Sequence, residues 1–443
     1  MVILHPGMKS EKLGFILNDT EAFAIITHAG KSSIIKDAVM NASVVKHIFW
    51  CGQNIFKIPV INAVNSESWE SIFSKKGSLF CRPKRNIIDI DLASIIYTSG
   101  STGEPKGVVS AHYNIVAVAT SITTYLKNQQ EDIILSTLPL CFGYGLYQVL
   151  ATPLFGGTII LEKSFLYPFK IIERIVKENV TGFPIIPTMA AILIQMKNLY
   201  LYDFSSLRYI TNAAAALPLP NVRKLQKLFP KTSIFSMYGL TECVRALYLP
   251  PEELERRPDS VGIPIPNEEV YLVDQNGNIL GPDETGELVV RGIHVMQGYW
   301  KRPKETANTF RQGKYRGETL LYTGDLFRKD NEEFYYFVGR KDDMIKTKGE
   351  RVSPKEVEDV LCAIPGVAEA AVVGVPDDIM GQAIRAYVVL EKQVEKTADD
   401  ILKFCLKHIE PYMLPKEVVF RESLPKTPNG KINKVLLKSE NIS

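Results

Sequence analysis

The sequence predicts an α/β protein: a large region of largely parallel sheet, a β-rich subdomain from about residue 264 to 340, and a small α+β domain from 341 to 443. Three observations predict it. Apolar strand-like runs alternate with helix-length amphipathic segments up to about Pro264. Beyond it, short β runs with turn signals take over. A short charged stretch near Lys341 then precedes a fresh helix–strand–strand–helix pattern, enough for a unit of its own. The 443 residues leave room for about three domains at roughly 150 residues each. With 46% hydrophobic and 23% charged residues, the composition is that of a globular chain that needs no disulfide or metal staples.

In chain order, AFAIIT, KHIFW, LASIIYTSG, TIILE, GFPIIP and LRYITNAAA read as strands, with helices such as KDAVMN and FKIIERIVKEN between them. From Ile133 to Leu161 no residue is charged, a length that crosses a bilayer if it is one helix. Pro139, Gly143, Gly145, Pro153, Gly156 and Gly157 interrupt it, so a buried strand–helix–strand unit is predicted and a membrane span is not. After Pro264, EVYLVDQNGNIL and GELVVRG are strands, and Asn276-Gly277 is a hairpin signal. Ser353 is placed to cap a helix with Pro354 in its first turn, running to Cys362. The strands AEAAVVGV and AIRAYVVL and a helix from Ala398 to Lys407 complete the pattern.

Charge and cysteine usage exclude several classes. The 52 Lys and Arg against 49 Asp and Glu leave +3, too little to make nucleic acid the main partner. Cys51, Cys81, Cys141, Cys243, Cys362 and Cys405 form no CxxC pair, and no histidine stands at metal-ligand spacing, so neither a zinc site nor a disulfide framework is expected. A reducing, cytoplasmic setting fits. The opening MVILHPGMKSEKLG lacks the apolar core of a secretory signal.

The strongest local signal runs from Ile95 to Val109, IIYTSGSTGEPKGVV. An apolar strand enters a loop holding Gly100, Gly103 and Gly107, the hydroxyls of Thr98, Ser99, Ser101 and Thr102, and Lys106. Glycines let backbone N–H groups converge on phosphate oxygens, hydroxyls add donors and the lysine adds a point charge. It is no Walker loop, because Lys106 follows Pro105 and precedes Gly107 in place of Ser or Thr.

This loop resembles the signature of the AMP-forming adenylating superfamily, which includes acyl-CoA synthetases, luciferases and peptide-synthetase adenylation domains. Four more motifs resemble that family's in the same order: MYGLTEC from Met237 to Cys243, YTGDL from Tyr322 to Leu326, GRKDDMIK from Gly339 to Lys346, and PNGKI from Pro428 to Ile432. The resemblance implies a large N-terminal domain of doubly wound sheets and a small mobile C-terminal domain. It also implies ATP-dependent activation of a carboxylic acid to an acyl-adenylate, with Mg²⁺, followed by transfer to the thiol of CoA or a phosphopantetheine.

By that resemblance, Thr98 to Lys106 cradle the β- and γ-phosphates, Thr241 meets the α-phosphate and Glu242 helps hold Mg²⁺. Tyr238 resembles the family's adenine-stacking aromatic, followed by Gly239. Asn212, Ala213 and Ala214 resemble its small-residue adenine strand. Asp325 would accept from the ribose hydroxyls and Arg340 would donate to the ribose, which suits an acceptor-only and a donor-only group. Lys431, presented by Asn429 and Gly430, is the expected catalytic lysine. Asp342 stands at the expected hinge, and Gly349 at the expected thiol tunnel of a second domain pose.

The acid side is read from Leu138 to Leu146, whose Gly-Tyr-Gly resembles the Gly-Phe-Gly of luciferases and acyl- or aryl-CoA ligases. Peptide-synthetase domains usually carry, where Gly143 stands here, an aspartate that pairs with the substrate ammonium. Without it, α-amino acids are disfavoured, because a buried unpaired ammonium is costly. An aliphatic or aryl acid is expected, with Phe142 and Tyr144 as candidate pocket walls. The chain starts just upstream of LGFILNDTEAFAIITHA, which resembles the middle of the family's N-terminal domain, so a shortened front is expected. CoA is the expected acceptor. The alternatives are an adenylation enzyme loading an amino or other acid onto a carrier protein in trans, and a nucleotide-binding protein without turnover.

Overall fold

The computed structural model of the chain describes residues 1–42, 44–52, 61, 64–74, 86–99, 105–213, 217, 219–347, 350–377, 379–427 and 430–440, with backbone only at Ser99 and Arg351. It begins with a three-stranded parallel sheet, Ala24–His28, His47–Cys51 and Asn65–Ser68. The helices Ser10–Asp19 and Ser32–Met40 bury Leu13, Leu17, Ile35 and Val39 together with the sheet's Ile48 and Trp50. Next comes an antiparallel hairpin, Leu92–Ser99 with Pro105–Ala111. Backbone bonds from Ile95 to the Met1 carbonyl and from Val109 to the Gly298 carbonyl flank it with distant chain.

The main sheet has twelve strands among the described residues. Its parallel part runs, in spatial order, Ser233–Tyr238, Tyr209–Asn212, Gly182–Ile185, Ile133–Ser136 and Thr158–Leu161. Side chains alternate between two cores. Ile134, Tyr209 and Phe235 join the core of the helix His112–Tyr125, through Val118 and Ile122. Leu135, Ile210 and Ile234 join that of the helices Pro168–Lys177, Pro187–Gln195 and Leu219–Leu228, through Ile172, Leu193 and Leu225. Since neighbouring residues of a strand face opposite ways, both faces are covered, as in a doubly wound sheet. The uncharged stretch from Ile133 is a strand, the helix Gly143–Phe155 and a strand. No helix among the described residues is long and apolar enough to cross a membrane.

The β-rich stretch does not make a sheet of its own. Leu247–Leu249 pairs antiparallel with Ser233–Tyr238, and the ladder continues through Ser260–Pro264, Tyr335–Arg340, Thr319–Lys329 and Thr285–Gly292 to Glu268–Val273. One core joins Val118 and Ile122 to Val270, Leu288, Leu321 and Phe327, so splitting the sheet would expose both halves. Asn276-Gly277 is a tight reversal, with Gly277 at φ +87°, but it yields only the single bridge Val273 to Ile279. Pro282 lacks the N–H to extend that ladder, and Thr285–Gly292 supplies the long partner strand.

Beyond Lys341, Glu350–Val352, Ile345–Thr347, Gly381–Leu390 and Val367–Asp377 form a second mixed sheet, with Glu417–Phe420 parallel to Gly381–Leu390. The helices Pro354–Ala363 and Ala398–Cys405 cover it through Val357, Leu361 and Ile401. Ser353 caps the first of these by accepting from the Glu356 N–H, and its hydroxyl donates to the Val338 carbonyl. Cys51, Cys141, Cys243, Cys362 and Cys405 are free thiols, and Cys81 lies outside the described residues.

Candidate active site

Parallel strands end with their carboxyl edges aligned, and ligands of α/β sheets bind in the crevice beyond that edge. Here Ser136, Ile185, Asn212 and Tyr238 end neighbouring strands. The chain leaving them carries Phe142 and Tyr144, the helix from Pro187, Ala213, and the turn from Gly239 to Val244. Asn212 and Ala213 are buried at this edge, while Ala214 lies outside the described residues.

The hairpin brings the phosphate-loop residues to the same place. Thr98 pairs with Lys106 across it, and the Thr98 hydroxyl lies 3.5 Å from the Lys106 carbonyl. Gly100, Ser101, Thr102 and Gly103 lie outside the described residues, and of Ser99 only the backbone is described. The sequence reading missed Tyr299, which links the motifs. Gly298–Trp300 lies against the hairpin through the Val109 N–H to Gly298 carbonyl and Trp300 N–H to Gly107 carbonyl bonds. The Tyr299 ring lies 5.7 Å from the Lys106 ammonium, and its hydroxyl donates to Glu242 Oε1 at 2.7 Å. Burial, with Glu242 beside it, pushes the phenol's pKa up, so it stays a donor. An aromatic pair after a glycine, Gly298-Tyr-Trp300, was the visible signal.

Thr241 and Glu242 sit in a turn between two strands, not at a helix start. The turn is tightly folded. Val244 has φ +65°, a true outlier for a β-branched residue, and its N–H bonds the Leu240 carbonyl at 2.6 Å. Gly239 permits this close approach, since a Cβ there would lie 2.3 Å from the Val244 carbonyl oxygen. The following Arg245 is buried at 3% exposure, with its guanidinium 5.4 Å from the Tyr144 ring centroid.

Opposite this turn, Asp325 and Arg340 are direct partners across two strands, with Arg340 Nε 3.4 Å from Asp325 Oδ1. The Tyr238 hydroxyl donates to Asp325 Oδ2 at 2.6 Å, and its ring meets Phe327 edge-on. Asp325 Oδ1 is buried and, apart from the ion pair with Arg340, accepts no hydrogen bond, which leaves it able to accept from a ribose hydroxyl. Burial raises the Asp325 carboxyl, against the pull of Arg340, Tyr238 and Lys431. Behind it Glu287, also missed from sequence, accepts from the Gly324 N–H and lies 3.1 Å from the Lys341 ammonium.

Lys431 arrives from the C-terminal part of the chain. Gly430, at φ +81°, lies against the edge loops, where a Cβ would meet Ile186 at 2.9 Å. The Thr427 N–H closes the turn on the Lys431 carbonyl at 2.7 Å. The side chain is solvent-accessible yet crowded by protein, which pushes its ammonium pKa down, while Asp325 and Glu242 pull it up and Arg340 adds to the lowering. Asn429 and Gly349 lie outside the described residues. Asp342 is exposed in the turn between Tyr335–Arg340 and Ile345–Thr347.

On the acid side, Phe142 is the N-cap of the helix Gly143–Phe155, and a Cβ on Gly143 would reach Val244 at 4.0 Å. The Tyr144 hydroxyl donates to the Thr211 carbonyl at 2.8 Å. Glu242 keeps one oxygen beyond the Tyr299 bond, and such hard carboxylate oxygen beside phosphates fits Mg²⁺.

The AMP-binding enzyme family model matches residues 1–300, and that of the AMP-binding enzyme C-terminal domain matches residues 356–431. The chain is 34% identical over 364 residues to the long-chain-fatty-acid–CoA ligase of Salmonella typhimurium, covering 81% of this chain and 63% of that relative. It is 29% identical over 452 residues to the oxalate–CoA ligase of Saccharomyces cerevisiae, covering 97% of this chain and 80% of the relative. The crystal structure of an anthranilate–CoA ligase in complex with anthranoyl-AMP superposes at a TM-score of 0.86 with 27% identity, covering 98% of this chain and 81% of the other. The fold, the order of the motifs and these matches agree, and the chain belongs to the AMP-binding enzyme family.

Proposed function

We propose that the chain activates a carboxylic acid with ATP and passes the acyl group to the thiol of CoA. In the first step a carboxylate oxygen bonds to the α-phosphorus, the bond to the bridging oxygen breaks and pyrophosphate leaves. In the second, the thiol sulfur bonds to the acyl carbon, AMP leaves and the thiol proton is released. The single observation that carries the reading is that Lys431, from the C-terminal part of the chain, comes within electrostatic reach of Asp325, Arg340 and Glu242, because a lysine near candidate ribose and metal ligands is what adenylation needs. Names among the relatives support CoA as acceptor, and they range from long-chain fatty acids to oxalate, so they do not choose the acid.

The division of labour follows from the donor chemistry. Thr98 to Lys106 would hold the β- and γ-phosphates, Thr241 the α-phosphate, and Asp325 and Arg340 the ribose. Tyr238, Asn212 and Ala213 would bound the adenine. Lys431 would neutralise charge building on the α-phosphate and the attacking carboxylate. Mg²⁺, held by Glu242 and phosphate oxygens, would supply charge neutralisation for the leaving pyrophosphate. Residues 1–340 and 341–443 would act as two domains turning about Asp342, with Gly349 lining the thiol path in the second pose.

Acid-dependent ATP–pyrophosphate exchange with Mg²⁺ tests the reading without needing the thiol. Exchange is expected with at least one acid, and Lys431→Ala is expected to abolish it while ATP binding changes little. Equal exchange in that variant removes Lys431 from the mechanism. ATP binding without exchange across fatty, aryl, short hydroxy and dicarboxylic acids removes the reaction.

A further inference from the structure

We propose that Arg245 makes the acid pocket a site for a short dicarboxylic acid, one carboxylate attacking ATP while the other pairs with the guanidinium. The proposal rests on the adenylation reading and adds the substrate class to it.

A buried charge without a counter-charge is strongly unfavourable. Two buried arginines of this chain show the contrast. Arg257, 7% exposed, is met by Glu253, Asp330 and Glu332. Arg245, 3% exposed, has no carboxylate partner among the described residues, and its Nε is buried without a hydrogen-bond acceptor. Near it lie the Tyr144 ring, the Tyr125 hydroxyl and the Cys243 thiol, which burial keeps protonated, and none of them neutralises it. Glu268, buried behind the same turn, faces His294 at 2.7 Å, and burial pushes its carboxyl up toward the neutral form. Glu242 is held by Tyr299.

The location points to the substrate. Arg245 closes the turn that carries Thr241 and Glu242, and Tyr144 belongs to the segment predicted to wall the acid pocket. It stands four positions after Thr241, so their Cα atoms lie at most about 14 Å apart, and the turn, closed by the Val244 N–H to Leu240 carbonyl bond, shortens that reach. An acid spanning from the α-phosphate to Arg245 is therefore short. A guanidinium fork takes a carboxylate in two parallel hydrogen bonds, which favours a second carboxylate over a hydroxyl or an alkyl end. The same charge repels the ammonium of an amino acid, in line with Gly143 in place of an aspartate.

The test is exchange by the full chain with oxalate, malonate, succinate and glutarate against acetate, propionate, butyrate and octanoate, in the wild type, Arg245→Leu and Arg245→Lys. Calorimetric binding of the same acids, with a non-cleavable α,β-methylene ATP analogue present, gives a readout without turnover. The wild type is expected to favour at least one dicarboxylate over the monocarboxylate of equal carbon number by about tenfold or more in kcat/KM. Arg245→Leu is expected to lose that preference, its dicarboxylate-to-monocarboxylate ratio of kcat/KM falling by about tenfold or more, and Arg245→Lys to retain part of it. Exchange that favours monocarboxylates in the wild type overturns the proposal and leaves adenylation standing, even where the leucine variant fails to fold. An unchanged preference in Arg245→Leu does the same. Dicarboxylate-selective binding without exchange upholds the substrate class and overturns adenylation. The absence of both overturns both.

Discussion

Gly239→Ala tests whether the turn carrying Thr241, Glu242 and Arg245 must be as tight as it is. The added Cβ would lie 2.3 Å from the Val244 carbonyl oxygen and 2.8 Å from the Arg245 Cα, both backbone atoms that cannot rotate away. Reaching even 3.0 Å requires the two sides to part by about 0.7 Å. Overpacking of this kind costs about 1–3 kcal/mol, and the turn is already strained at Val244. A displacement approaching 1 Å at reacting groups costs up to about 100-fold in rate. Pyrophosphate exchange is therefore expected to fall by about 10- to 100-fold, with a lowered thermal midpoint. Gly281→Ala is the control, since its Cβ would meet only the end of the Glu284 side chain, at 3.3 Å. Full exchange activity in Gly239→Ala would refute the claim that turn geometry positions Thr241 and Glu242.

Two further predictions concern single groups. Tyr299→Phe keeps the ring against Phe310 but removes the hydroxyl that donates to Glu242. A hydrogen bond to a charged group is worth about 1.5–3 kcal/mol, so exchange at limiting Mg²⁺–ATP should fall by about tenfold or more with little change in the thermal midpoint, and an unchanged Mg²⁺–ATP dependence counts against the link. The lowered Lys431 pKa places the alkaline limb of the exchange profile below the ordinary lysine value of 10.5. In that window the unfolded chain binds the extra proton, so this group's contribution to stability rises with pH, and its charged form opposes folding at neutral pH. Lys431→Arg stays protonated and should lose the limb, and identical limbs in the two proteins sever it from Lys431.

The candidate site was legible in part because its residue types are local. Glycines, hydroxyls and one lysine between Thr98 and Gly107 are the basis for the phosphate-binding proposal from contiguous residues alone, and Ser353-Pro354 marks a capped helix that the structure shows. Asn276-Gly277 signals a hairpin in sequence and makes a reversal with a single bridge in the structure, because the length of the ladder depended on Pro282 and on the strand Thr285–Gly292. The continuous twelve-stranded sheet escaped the sequence, since short β runs do not say which edge they extend.

The sequence by itself determined the alternation of strands and helices, the order of the five motifs and the residue types able to hold phosphate, ribose and metal. Only the tertiary structure decided what those motifs face. Tyr299 reaches Glu242 across 57 residues, Tyr238 reaches Asp325 across 87, and Lys431 comes within electrostatic reach of Asp325 and Glu242 from the far end of the chain. Arg245 reads as an ordinary surface cation in a linear sequence, and only packing that buries it beside Tyr144, with no carboxylate partner among the described residues, makes it the proposed determinant of the substrate. The reason is physical: the type of a side chain is set by one position, whereas its burial and its partners are set by contacts between segments that folding brings together.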